Sequence, residues 1–128
     1  MKRVQYDRYG GPEEMSFGDH ALPDLAPGLV RVRVKAAAIN PLDWKLRRGM
    51  LKFVTASRFA QAMGSDFAGV VEAVGSDVTS VHVGGEVFGT VSMKRQGAFA
   101  EVVDTEAHLV VHKPAMLSFS EAACLPIP

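Results

Sequence analysis

A single cysteine, Cys124, stands in 128 residues. No internal disulfide can staple such a chain, which fits a reducing cytoplasm. Long apolar runs are missing too. The longest stretch without Asp, Glu, Lys or Arg is Val78 to Gly85, eight residues, against about 20 for a membrane-spanning helix. The N-terminus, Met1-Lys2-Arg3-Val4-Gln5-Tyr6-Asp7, has no apolar core of a secretory signal. Net charge is zero, from 14 basic and 14 acidic side chains, which argues against a dedicated nucleic-acid binder. The expectation is a cytoplasmic protein with no membrane and no nucleic-acid partner. Its 48% apolar and 22% charged residues are ordinary for a globular protein. A chain this long buries roughly two-thirds of its unfolded surface, so one domain over residues 1–128 is expected.

Several chemistries are equally short of residues. No CxxC or HExxH spacing exists, and His20, His82, His108 and His112 form no metal-ligand pattern. His108 and His112 are four apart, but Leu109-Val110-Val111 between them reads as strand. Cys124 lies in the apolar run Ala122-Ala123-Cys124-Leu125, a setting that does not activate a thiol. No Gly-x-Ser-x-Gly turn offers a nucleophile. No Gly-x-Gly and no Gly-rich loop ending in Lys-Ser/Thr occur, so the chain carries no recognisable phosphate cradle.

What the sequence does contain is β signal. Leu29-Val30-Arg31-Val32-Arg33-Val34-Lys35-Ala36 alternates apolar and basic residues with period two, the pattern of a half-buried strand. Val4 with Tyr6 and Met15 with Phe17 read as short strands around Tyr9-Gly10-Gly11-Pro12. Further strands are expected at Phe67–Val74, Glu86–Val91, Ala98–Thr105 and Leu109–His112. Seven short strands with Gly/Pro punctuation predict a mainly β fold, a sandwich or partly open barrel. Helix signals are sparse. Asn40-Pro41 places a cap before a proline, and Gly49 closes a segment over Leu42–Arg48. Ser118-Phe119-Ser120-Glu121 is a capping box that opens a second helix.

Charge is neutral overall but uneven. Residues 29–58 hold eight Lys/Arg against Asp43 alone, a net of +7, whereas residues 59–91 hold four acids and no base. Two readings stay open: complementary solvent faces of neighbouring segments, or a rim that attracts an anionic ligand.

Five ordered segments carry a resemblance. They are Ala37-Ala38-Ile39-Asn40-Pro41-Leu42-Asp43-Trp44-Lys45-Leu46-Arg47, Gly64 to Gly75, Gly84 to Gly89, Gly97-Ala98-Phe99-Ala100-Glu101, and Lys113-Pro114 to Pro126. In this order they resemble the N-terminal GroES-like domain of the medium-chain dehydrogenase/reductase superfamily. Zinc-dependent relatives have Cys where this chain has Asn40, and a zinc-binding His where it has Ser65. The chain is therefore similar to the zinc-free branch of quinone oxidoreductases and enone or enoyl reductases. That resemblance implies a GroES-like, partly open β-barrel with short helices.

It further implies an NADPH-dependent oxidoreductase of quinones or α,β-unsaturated carbonyls that works without zinc, with a small-molecule substrate and a homo-oligomeric parent protein. By the same resemblance, Asn40 meets a carbonyl oxygen or the nicotinamide carboxamide. Lys45 polarises a developing oxyanion, and Asp43 orients its neighbours; Asn40 and Lys45 are the cofactor-facing pair. Trp44 is expected in the core, and Asp66 is a weak site candidate that pairs with a base. In the family a Rossmann domain follows the segment like Ser118–Pro128 and carries most cofactor contacts. The chain is thus expected to lack the cofactor domain and to be nearly inactive alone. Two alternatives are a standalone binding or assembly module using Leu51-Lys52-Phe53-Val54 as a mobile apolar loop, and a zinc-type alcohol dehydrogenase relative with unusual ligands.

Overall fold

The computed structural model describes residues 1–51, 59–93 and 95–126. Among them lie β1 (Lys2–Tyr6), β2 (Met15–Asp19), β3 (Leu29–Ala38), α1 (Pro41–Arg47), β4 (Gln61–Ala62), β5 (Asp66–Val74), β6 (Glu86–Thr90), β7 (Val102–Glu106), β8 (Val110–His112) and α2 (Phe119–Ala123). The strands form two sheets, ordered β2-β1-β4 and β7-β3-β5-β6-β8. Every pairing is antiparallel. Both sheets are open, and an isolated bridge pairs Arg3 of β1 with Ala100, just before β7. The mainly β expectation holds.

The five-stranded sheet carries the core. Period-two alternation puts Val30 and Val32 of β3 on one face, where they meet Phe67 and Val71 of β5, Val87 of β6 and Val103 of β7. Phe67 has no exposed surface, a burial that contributes about 1.5–3 kcal/mol. The first four residues of β5 are all buried because the sheet is covered on both sides. On the far face Ala68 packs against Ala122 and Ala123 of α2, with Ala36, Phe88 and Phe119 around them. The Ser118 capping box starts α2 as expected: Ser118 Oγ accepts from the Glu121 N–H at 3.0 Å, and Glu121 Oε1 accepts from the Ser118 N–H at 2.9 Å.

Three local expectations need correction. The strand expected at Ala98–Thr105 begins only at Val102. Its first part folds back instead, with the Gly97 and Ala98 N–H groups both donating to the Gly64 carbonyl. Gly64 has a φ of +96°, and a Cβ there would lie 2.7 Å from the Phe99 nitrogen, so only glycine permits this approach. Cys124 ends α2 exposed rather than packed among its apolar neighbours. Arg47, counted with the basic rim, is buried: its Nε donates to the Gly10 carbonyl at 3.2 Å. Of Leu51-Lys52-Phe53-Val54, the last three lie outside the described residues.

Close approach of β3 and β5 sets a demand on one position. A Cβ at Gly69 would stand 2.1 Å from the Arg33 carbonyl oxygen, a backbone atom, whereas one at Gly28 meets nothing within 4 Å. Gly69→Ala is expected to destabilise by about 1–3 kcal/mol or more, and Gly28→Ala to stay within about 1 kcal/mol of the parent. Urea unfolding of both variants checks this; equal midpoints would contradict it.

Candidate active site

Asn40 is the N-cap of α1, in extended conformation with φ −126° and ψ 156°. Pro41 follows at the first helical position, where its missing N–H costs nothing. Asn40 and Asp43 form a capping-box pair, and the Asp43 N–H donates to the Asn40 backbone carbonyl at 3.0 Å. Asp43 Oδ2 accepts from the Asn40 N–H at 2.7 Å. The Asn40 carboxamide does more than cap. Its Nδ2 donates at 2.8 Å to Asp66 Oδ2, across to the first residue of β5.

Asp66 has no exposed surface, and a buried carboxylate must be hydrogen-bonded. Besides Asn40 it accepts from Thr90 Oγ1, at 3.0 Å to Oδ1. The β5–β6 register places Asp66 directly opposite Thr90. Thr105 of β7 then donates its hydroxyl to the Thr90 carbonyl at 2.8 Å. Asp66 was expected to pair with a base; the two bonds described here come from a neutral amide and a neutral hydroxyl. Beside it, buried Ser65 pairs with Gln96, whose Nε2 lies 2.9 Å from Ser65 Oγ and 3.2 Å from the Ser92 carbonyl.

The group holds two buried carboxyls, Asp43 and Asp66. Asp43 is 4% exposed, and among the described residues its Oδ1 has no hydrogen-bond partner. Burial raises its carboxyl above the ordinary 3.8, and the nearby Asp66 charge adds to this, while the Asn40 N–H works the other way.

The expected site residues divide. Asn40, Asp43 and Asp66 come together. Lys45 stays outside: half-buried, it lies over the Trp44 ring with Nζ 5.8 Å from the centroid. Among the described residues it forms no hydrogen bond or ion pair with the other three. Trp44 is 40% exposed and is not core. Residues 43, 46 and 47 form the inward face of α1, which turns position 44 outward. Its ring has the Arg48 guanidinium 5.5 Å from the centroid as well, a cation–π arrangement. Ile39, next to Asn40, is 83% exposed, and Met50 is 57% exposed. Sequence reasoning missed Thr90 and Gln96, which become visible only through strand register and the Gly64 turn. Of the charge readings, one complementary pair forms across β3–β5, Arg33 to Glu72 at 3.2 Å.

Sequence comparison assigns this architecture. The chain belongs to the family described as "Alcohol dehydrogenase GroES-like domain", matched over residues 26–115. Within the medium-chain dehydrogenase/reductase superfamily it falls beside the quinone oxidoreductases. It is 39% identical to the 2-methylene-furan-3-one reductase of Solanum lycopersicum, over 99% of this chain and 34% of that protein. It is 37% identical to the chloroplastic NADPH-dependent alkenal/one oxidoreductase of Arabidopsis thaliana, again over 99% of this chain and 34% of the relative. The quinone oxidoreductase from Coxiella burnetii superposes with a TM-score of 0.89 at 32% identity, covering 99% of this chain and 41% of that one. The chain spans about a third of the length of these curated relatives. No helix among the described residues is long and apolar enough to cross a membrane.

Asp43 allows a test of the site's electrostatics. A carboxyl raised by folding stabilises the fold fully below 3.8, its ordinary value, and that contribution is lost as pH rises through the folded value. Asp43→Asn keeps an acceptor for the Asn40 N–H but does not ionise. Its stability relative to the parent is therefore expected to improve from pH 3 to pH 7 by chemical denaturation. A pH-independent difference would contradict the raised carboxyl.

Proposed function

We propose that the intact protein is a zinc-independent, NADPH-dependent oxidoreductase that reduces quinones or α,β-unsaturated carbonyl compounds, with residues 1–128 as its substrate-side domain. The observation that carries this reading is the Asn40–Asp66 hydrogen bond, set in a chain whose relatives are named as enone and quinone reductases. A carboxamide has two N–H donors and one oxygen acceptor. In Asn40 one N–H is taken by Asp66, and the second, which bonds to no partner among the described residues, is the donor available to a ligand. A carbonyl oxygen is its natural partner, either of the substrate or of the nicotinamide carboxamide.

The Asp66 carboxylate behind Asn40 fixes the amide in place, and such preorganised donors stabilise negative charge as it develops on a carbonyl oxygen. A second buried anion would oppose that charge, and the raised Asp43 carboxyl reduces the opposition. Lys45 adds a positive charge at the rim beside Trp44 and Arg48. Ile39, next to Asn40, offers exposed apolar surface to a planar substrate.

NADPH, which the resemblance implies, and zinc, which belongs only to the alternative reading, fare differently. Zinc does not suit these residues: the Asn40 amide and the Ser65 hydroxyl are engaged by Asp66 and Gln96, and neither is a thiolate or imidazole. NADPH suits Asn40 and Lys45 at its nicotinamide end only, since no Gly-x-Gly phosphate cradle exists here. When bound, NADPH supplies the hydride. Its remaining contacts are assigned to a Rossmann domain beyond this domain, and assembly as a homo-oligomer and a cytoplasmic location complete the proposal.

The intact protein is expected to oxidise NADPH in the presence of a quinone or an enone. Asn40→Ala should lower kcat/KM by about 10- to 100-fold and, because it also removes a helix cap and a donor to buried Asp66, should lower the unfolding midpoint as well. Absence of turnover with both substrate classes would sink the reading, and unchanged kinetics in Asn40→Ala would reduce Asn40 to a helix cap.

A further inference from the structure

A second site lies away from Asn40, at the seam between the two sheets. A cavity of about 130 Å³ opens there, lined among others by Arg3, His20, Arg95, Gln96 and Asp104. It is large enough for several waters. The charges around it do not cancel. Asp104 is spent on Arg31, which holds it bidentately through Nε to Oδ1 at 2.8 Å and Nη2 to Oδ2 at 3.0 Å. Arg95 reaches Glu106 only at 3.8 Å.

Arg3 has no ion pair among the described residues. Its Nε donates to the neutral Gln5 Oε1 at 2.8 Å, which leaves the outer face of the guanidinium to the cavity. Partial burial lowers its pKa. His20 feels the same excess of positive charge: burial, then Arg3 and the N-terminal ammonium, hold its imidazole below 6.5, with Asp104 opposing. The Met1 amino group donates to the His20 carbonyl at 3.0 Å.

A partly desolvated guanidinium without a counter-charge is costly unless an anion completes it. Arginine also offers a planar fork of donors that matches carboxylate and phosphate oxygens. We propose that this cavity binds an oxyanion, the phosphate or carboxylate group of a small ligand, held between Arg3 and Arg95 with His20 at its edge. The site is separate from the reductase chemistry and does not depend on it. It touches that region only through Gln96, whose amide is shared with Ser65 and the Ser92 carbonyl.

The test titrates inorganic phosphate and, separately, acetate into the intact protein at constant ionic strength, reading the His20 ring by NMR. Saturable binding is expected, with the His20 pKa moving upward as the anion offsets Arg3. Tighter phosphate binding identifies a phosphate-bearing ligand, and tighter acetate binding a carboxylate. Arg3→Gln and Arg95→Gln should each weaken binding by about 10-fold or more. Arg8→Gln removes an exposed cation paired with Glu14, outside the cavity lining, and should leave affinity unchanged. No saturable change at His20, or equal affinity in Arg3→Gln, Arg95→Gln and the parent, overturns the proposal. Should Arg3→Gln fail to fold, Arg95→Gln decides alone.

Discussion

One hydrogen bond organises the candidate site: Asn40 Nδ2 to Asp66 Oδ2, 2.8 Å long and wholly buried. It joins a helix cap to the first residue of a central strand, 26 positions further along the chain. Leaving the Asp66 carboxylate unsatisfied would cost several kcal/mol. The surrounding structure is accordingly arranged to satisfy it. Thr90 donates from the neighbouring strand, Thr105 braces Thr90, and Gly64 lets the chain turn tightly just before Ser65 and Asp66. The backbone of α1 is tied down from the same point, since Asp43 accepts from the Asn40 N–H.

This network stands where zinc-dependent relatives are expected to hold metal ligands. Here the two positions carry Asn40 and Ser65, and each is built into a hydrogen-bonded partnership. Asn40 and Ser65 are held in orientation by these buried polar contacts. Such contacts are strong only when every member is satisfied. Asp43 is the exception: among the described residues one of its oxygens is buried without a hydrogen-bond partner, and burial raises its carboxyl.

Much of this was legible in the residues. Alternation in Leu29–Ala36 located β3, Asn40-Pro41 located the start of α1, and the Ser118 box located α2. Ordered motifs pointed to the family and to Asn40. Other features were not legible, because they depend on contacts between distant segments. Nothing local tells that Thr90 lies opposite Asp66, since register is a property of two strands. The late start of β7 follows from residues 97–99 folding onto Gly64, a tertiary contact that overrides strand propensity. Trp44 looked like core by composition, yet the inward face of α1 was already filled by Asp43, Leu46 and Arg47. The seam cavity was invisible for the same reason, drawing Arg3, His20 and Arg95 from three separate segments.

The most direct measurement is hydrogen exchange at the Asn40 side-chain amide, followed by NMR in the intact protein. A buried bond to Asp66 predicts one amide proton strongly protected and shifted downfield. The second proton should exchange with water until a carbonyl ligand or NADPH is added, and then become protected. Two amide protons that exchange freely, with neither responding to ligand, would contradict the role given to Asn40 and Asp66.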